Sequence, residues 1–364
     1  MESVALRQPS PTAQDLADQV RQAFEQQQPL QIIGGGSKHF YGNPVEGTPL
    51  FVNDFQGIIN YEPSELVITA RAGTPLHVIE ATLAKQGQML GFEPPYFTTN
   101  ATLGGTIACG LSGPRRPYSG AARDFVLGVT MINGKGEILR FGGQVMKNVA
   151  GYDVSRLMCG AQGTLGVLLD ISLKVIPKPA VEQTQQLQCN QQQMQTLLSQ
   201  LGRQPLPISA TVLYNNQLSI RLSGTEPGVR SAAMIIGGEP LSTPDQLWQQ
   251  LKEHRHPFFD PADTCVRLSL PPSAPNIPEN LIRDQLIEWG GAQRWVRPNN
   301  SSDTVALMEW AASHGGHATR LDRALSQSAQ FHPLNRSLAQ LSQRIKESFD
   351  PARILNPDRL YPGL

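Results

Sequence analysis

Three consecutive glycines, Gly34, Gly35 and Gly36, follow the apolar run PLQII and precede Ser37, Lys38 and His39. Backbone without side chains lets N–H groups come close to an anion, and phosphate is the usual anion at such loops. A second glycine-rich block, TTNATLGGTIACGLSG, places Gly104, Gly105, Gly110 and Gly113 among the hydroxyls of Thr98, Thr99, Thr102, Thr106 and Ser112, with Arg115 and Arg116 just beyond. Two loops of this kind can wrap one diphosphate. The Walker pattern fails, because Lys38 follows a serine and His39 stands where a Ser or Thr is required. The dinucleotide fingerprint G-x-G-x-x-G puts its third glycine on His39, and Phe40 to Pro44 does not begin a helix. For the first triplet taken alone, a turn that only reverses the chain is the plain alternative.

Other reactive side chains are scattered. Cys109, Cys159, Cys189 and Cys265 are far apart and form no C-x-x-C, so they read as isolated thiols rather than a disulfide framework, a zinc site or an iron–sulfur site. HGGHATR, His314 to Arg320, carries two histidines without an accompanying Asp or Asn and reads as a turn and strand, not a metal site. Arg267, Arg294, Arg297 and Arg320 can each receive a carboxylate, although ion pairing is the ordinary use of such residues. No metal ligands are assigned, and the catalytic base stays unknown.

The elements that position these groups follow from periodicity. Thr12 and Asp15 cap a helix with Leu16, Val20, Ala23 and Phe24 on one face. PLQII reads as a buried strand running into the glycines. ELVITARAG alternates as a second strand, after which Pro75 opens a helix carrying Leu76, Ile79 and Leu83. The stretch from Gly91 to Gly120 lacks a regular period and reads as an ordered binding loop. Two strands around Asn133-Gly134 form a hairpin, a short helix covers Asp153 to Met158, and a β-rich segment runs from Leu165 to Ile176 until Pro177 and Pro179 close the unit. A glutamine-rich amphipathic helix with Met194, Leu197, Leu198 and Leu201 opens a second unit with strands at Ala210 to Leu213, Leu218 to Leu222, Cys265 to Leu270 and Arg294 to Val296. A last helix aligns Leu334, Leu338, Leu341 and Ile345. The fold class is α+β, with units expected at 1–180, 183–300 and 301–364.

With 364 residues the chain can bury a large core, and its 30 basic and 30 acidic side chains cancel. That balance excludes an electrostatic nucleic-acid footprint and a polybasic membrane anchor, leaving a small ligand as the expected partner. The N-terminus has no basic start followed by an apolar core, and no run reaches the roughly 18 apolar residues of a transmembrane helix. A cytoplasmic protein is expected, meeting a membrane only through partners.

The glycine triplet with Ser37, the ATLGGTIACGLSG…PYSGAARDFVLG block, KNVAGYD, GAQGTLGV and the closing FDPARILNPDRL occur in that order. Together they resemble the FAD-binding family of vanillyl-alcohol oxidase and p-cresol methylhydroxylase (PCMH-type) flavoproteins. Within it the chain is most similar to the smaller flavin-binding subunits of bacterial glycolate oxidases. The resemblance is dense from about residue 30 to 180, returns at the C-terminus, and is fragmentary between.

The resemblance implies an FAD-binding domain of two α+β subdomains, an α+β cap domain, and a C-terminal segment that packs back. It implies that N–H groups of Gly34, Gly35, Gly36, Ser37 and Lys38, and of Leu103, Gly104, Gly105 and Thr106, cradle the diphosphate. Gly110, Ser112, Gly113 and Tyr118 would follow the flavin and ribityl chain, and Asp124, Val126, Gly163, Gly166 and Val167 would line the adenine or flavin edge. Lys147 and Tyr152 either lie against the flavin or serve as a solvated lysine and a core tyrosine. Asn356 and Arg359 either return to the flavin pocket or form a simple turn. Some relatives attach FAD through a loop histidine, but Ser37 holds that place here, so non-covalent FAD is expected. The family's hydroxy-acid dehydrogenases carry H-x-G-D-G-N-x-H, which this chain lacks.

The implied function is oxidation of glycolate to glyoxylate by hydride transfer to flavin. The main catalytic site would lie on a larger paralogous FAD-binding subunit, and electrons would leave through an iron–sulfur subunit. A self-sufficient dehydrogenase for a hydroxy acid or alcohol, and a subunit that holds FAD only for assembly, are the alternatives.

Overall fold

Thr12 and Asp15 form a reciprocal cap on the helix Ala13–Glu25, and Leu16, Ala17, Val20 and Ala23 form its buried face. The chain then enters the strand Leu30–Ile33, which pairs in parallel with Thr48–Phe51. Leu355 bridges Leu30 from the far end of the sequence. These pieces close on Leu50, Phe55, Val167, Leu169 and Ile354 as one small core. The structure, a computed structural model, describes residues 11–143, 153–260, 263–321 and 330–364.

A five-stranded antiparallel sheet follows, ordered Ile58–Glu62, Val67–Arg71, Val167–Lys174, Val126–Ile132, Ile138–Gly142. The helices Leu76–Ala84 and Leu103–Cys109 contribute Leu76, Ile79, Leu83, Leu103 and Ile107 to the core that also takes Ile68, Met131, Ile171 and Leu173 from this sheet. The second helix lies inside the stretch read from sequence as loop. Its signal is hidden because Leu103, Gly104, Thr106 and Ile107 are all buried, which leaves no amphipathic period, and because two glycines depress its propensity.

From Val181 the chain builds an eight-stranded sheet whose pairings are all antiparallel. One face carries the helices Gln191–Leu201, Glu226–Ile236 and Asp303–Ser313. The other turns toward the first unit, where Ala210, Val212, Leu286 and Trp295 pack with Tyr41 and Leu111. The expected end of this unit at residue 300 falls short: the last strand, His317–Leu321, pairs with Cys265–Ser269 in the same sheet. HGGHATR therefore supplies a turn and an edge strand.

Charge ties the two units. Glu93 accepts from Arg115 N and Nε and from Arg221 Nη2, while Glu182 is bonded to both Arg115 and Ser223. Glu253, which is buried, accepts from the backbone N–H groups of Tyr96 and Phe97 at 3.0 and 2.8 Å.

The C-terminal helix Arg336–Phe349 departs from its sequence reading. Leu338 and Leu341 are exposed, and the residue it buries is Lys346. Lys346 Nζ donates to Thr164 O, Leu355 O and Asp350 Oδ2, and Asp350 in turn accepts from Ile354 and Leu355 N–H. This polar knot seats the last segment against the first unit.

Candidate functional site

The strand Leu30–Ile33 ends at the glycine triplet, the helix Leu103–Cys109 begins opposite it, and a cleft opens between them. Gly34, Gly35, Gly36, Ser37, Lys38, Gly104, Gly105, Gly163, Gly166, Asn356 and Arg359, dispersed over the whole chain, all line it. Leu103, Thr106 and Val167 are buried in the elements that carry these residues.

The glycines are there for different reasons. A Cβ on Gly35 would lie 1.4 Å from Asn100 O, and one on Gly104 would lie 2.7 Å from the Ala72 Cβ, so these two let backbone segments touch. Gly36 and Gly163 take left-handed conformations, φ +70° and +76°. Gly105 alone of the central pair faces open space, since a Cβ added there would meet only Thr102 Oγ1, at 3.2 Å.

The two loops also differ in their donors. Among the described residues, the N–H groups of Gly34, Gly35, Gly36, Ser37 and Lys38 have no acceptor in the protein. A run of unpaired donors beside a cleft is a nest for an anion. The equivalent expectation for the second loop is corrected: Leu103 N donates to Thr74 O, Gly104 N to Ala72 O, Gly105 N to Thr102 Oγ1 and Thr106 N to Thr102 O. Those groups fix the helix start and form a wall instead of a donor row.

Lys38 adds charge. Its side chain is buried, donates to Ser37 Oγ at 3.2 Å, and makes no ion pair among the described residues. Burial pushes its ammonium below the usual lysine range, partly offset by Cys109 and Glu253. Arg359 holds this loop from behind, donating to Tyr41 O and Asn43 O at 2.7 and 2.6 Å and to Gln162 Oε1 at 3.0 Å. Asn356 accepts from Ile32 N and donates to Gln162 O, both at 2.7 Å. Thr102, Cys109 and His39 also line the cleft, as does Gln162, which was not singled out from sequence although it sits within GAQGTLGV.

The remaining candidates lie outside this cleft. Gly110 ends the helix at φ +63°. Ser112 Oγ accepts from Ala122 N, Gly113 N donates to Phe92 O, and Asp124 accepts from Ala121 N. Val126 opens a buried strand, and Tyr118 is exposed. Lys147 and Tyr152 lie outside the described residues.

A second, narrow cavity of about 20 Å3 lies between the Leu111–Pro114 segment and the inward face of the eight-stranded sheet. Glu288 is buried there, with Oε2 accepting from Trp295 Nε1 at 2.6 Å and Gln293 Nε2 at 3.0 Å. Burial outweighs these donors and raises its carboxyl from 4.5 to about 7. The folded chain thus keeps a proton that the unfolded chain loses between these values, and stability falls as pH rises through that window. The shift corresponds to about 3 kcal/mol. Urea unfolding at pH 4 and pH 8 is expected to show wild type losing about that much more than Glu288→Gln; equal losses would mean that the site stays solvated.

A family profile described as FAD binding domain matches residues 9–142. The glycolate oxidase subunit GlcE of Escherichia coli (strain K12) is 47% identical over 352 residues, 97% of this chain and 98% of that protein. The glycolate oxidase subunit GlcD of Bacillus subtilis (strain 168) is 31% identical over 163 residues, 44% of this chain and 34% of that protein. Among solved structures, an alkyldihydroxyacetonephosphate synthase superposes with a TM-score of 0.69 at 16% identity, covering 96% of this chain and 75% of the other, which establishes a shared fold. Among the described residues, no helix is long and apolar enough to cross a membrane.

Proposed function

Because the chain belongs to the family of the glycolate oxidase subunit GlcE, we propose that it is the FAD-binding subunit of a complex that oxidises glycolate, a 2-hydroxy acid, to glyoxylate. It is an FAD-dependent oxidoreductase component, and its larger partner is a paralogue of the GlcD kind carrying the main catalytic site. An iron–sulfur subunit takes the electrons onward, and any membrane contact is made through these partners.

One observation carries the cofactor assignment: the unpaired N–H groups of Gly34 to Lys38 beside a buried ammonium suit an anion such as a diphosphate. When bound, FAD supplies the two-electron acceptor for a hydride. The chain's own residues bind and hold. The first loop satisfies the negative diphosphate, and Lys38 adds a cation in a setting where burial strengthens it. Gly105 keeps the opposite wall free of side chain. Arg359 and Asn356 fix the loop from the C-terminal segment, so that these donors are in place before the ligand arrives. His39, which lines the same cleft, is pushed below the usual histidine range by burial and by Arg359. The attachment is non-covalent.

The test uses the purified chain. An oxidised flavin spectrum that is released by denaturation and does not bleach under anaerobic glycolate is expected, with bleaching restored by the larger subunit. Rapid bleaching of the chain alone would overturn the placement of the main site on the partner. A folded sample that refuses added FAD would overturn the cofactor reading.

A further inference from the structure

The segment GFEPPYF, Gly91 to Phe97, carries two non-glycine residues in the left-handed region, Glu93 at φ +47° and Phe97 at φ +61°. A bulky side chain gains nothing from that conformation, so contacts from outside the segment must impose it. Glu93 is anchored through its carboxylate by Arg115 and Arg221. Phe97 is anchored through its backbone by Glu253, which follows the helix Pro244–Lys252 of the second unit. The buried Glu253 carboxylate takes the Phe97 N–H at 2.8 Å and the Tyr96 N–H at 3.0 Å on one oxygen, and Lys252 Nζ lies 3.5 Å from the other.

This bond fixes where the Phe97 ring lies. The ring meets Phe40 edge-on at 5.1 Å, meets His254 at 5.0 Å, and has Lys38 Nζ over it at 5.7 Å. Phe40 and Lys38 belong to the loop that offers the unpaired donors, whereas His254 stacks on Phe259 at 4.4 Å and meets Trp295 of the eight-stranded sheet at 4.7 Å. Phe97 is therefore a contact through which the second unit reaches the anion site. An aromatic face beside an ammonium favours the cation and shields it from water. Burial lowers the Lys38 ammonium, and Cys109 and then Glu253 partly offset that loss, so the same carboxylate also acts on Lys38 through space.

We propose that Glu253 and Phe97 are positioning residues for the cofactor: the second unit, through Glu253, holds Phe97 in its left-handed turn and thereby keeps Lys38 in place at the FAD cleft. The proposal rests on the FAD reading of that cleft and adds that the glycine loop does not reach full affinity by itself. Neither residue lines the cleft, so each acts through Lys38. FAD binding and docking of the second unit become linked, each favouring the other.

Titration of the flavin-free full chain with FAD, read by the change in flavin fluorescence, tests this, with melting temperature as the check on folding. Glu253→Gln keeps the shape and an acceptor oxygen but loses the charge, and FAD affinity is expected to fall about tenfold. Phe97→Gly takes φ +61° without strain and loses only the ring, so it should fold and show a comparable fall. The discriminating readout is the double-mutant cycle with Lys38→Gln: Glu253→Gln should add less than about twofold to the loss that Lys38→Gln causes alone. Losses that multiply, the outcome of a merely structural role, would overturn the proposal. Wild-type affinity in folded Glu253→Gln or Phe97→Gly would overturn it as well and leave the cofactor reading intact. A folded wild-type chain that takes up no FAD would remove both.

Discussion

Gly105→Asp is expected to purify folded and without flavin. The position faces the cleft, where an added Cβ meets only Thr102 Oγ1 at 3.2 Å. An aspartate there extends a carboxylate toward the space enclosed by the Gly34 to Lys38 donors. Placing like charge against a diphosphate costs several kcal/mol, which corresponds to a loss in FAD affinity of about 100-fold or more. Gly105→Ala adds bulk without charge and should keep most of the flavin, and the ratio of visible to ultraviolet absorbance reads both. Gly104→Ala is the informative contrast. Its Cβ would press on Ala72, at 2.7 Å from the Cβ and 3.0 Å from the carbonyl oxygen, so its effect should appear as a stability loss of about 1–3 kcal/mol with flavin loss following from that. Normal flavin content in Gly105→Asp, with an unchanged melting temperature, would remove this helix from the cofactor site.

Lys346→Met should destabilise the chain by about 3–5 kcal/mol, the usual result of leaving one member of a buried ion pair alone. Lys346 and Asp350 are both essentially inaccessible, and three acceptors share the one ammonium. The loss removes the donor to Thr164 O and strands the Asp350 carboxylate with two backbone donors for company. Adding Asp350→Asn should recover part of the loss, because asparagine removes the buried charge while keeping an acceptor oxygen for one of the Ile354 and Leu355 N–H groups. Denaturant unfolding of the single and double variants at neutral pH decides between the two states of the knot. A single variant within about 1 kcal/mol of wild type would mean that water reaches the site.

The C-terminal helix shows the limit of pattern reading. Leu334, Leu338, Leu341 and Ile345 have the spacing of a buried stripe, yet Leu338 and Leu341 are in solvent and a lysine is the anchor. Periodicity reports which residues share a face, not whether anything covers it. The Leu103–Cys109 helix is the opposite case, a short element whose cleft-facing side is Gly105, Ala108 and Cys109, with no polar stripe to reveal its period.

Local order was legible because it rests on neighbours: the Thr12 cap, the strand into Gly34, the end of the first unit near Pro177, and the glycine blocks whose order implies FAD. The site was legible only as a set of letters. Which donors stay unpaired was decided by partners far along the chain, as when Asn356 reaches Ile32 and Arg359 reaches the carbonyls behind Lys38. Such bonds leave no local spacing, so sequence could give the two glycine loops one role, while the tertiary structure gives one the free donors and the other the wall. The same reason separates Arg267 from Arg294 and Arg297: identical side chains on adjacent strands, distinguished only by whether the fold brings a carbonyl or carboxylate to each.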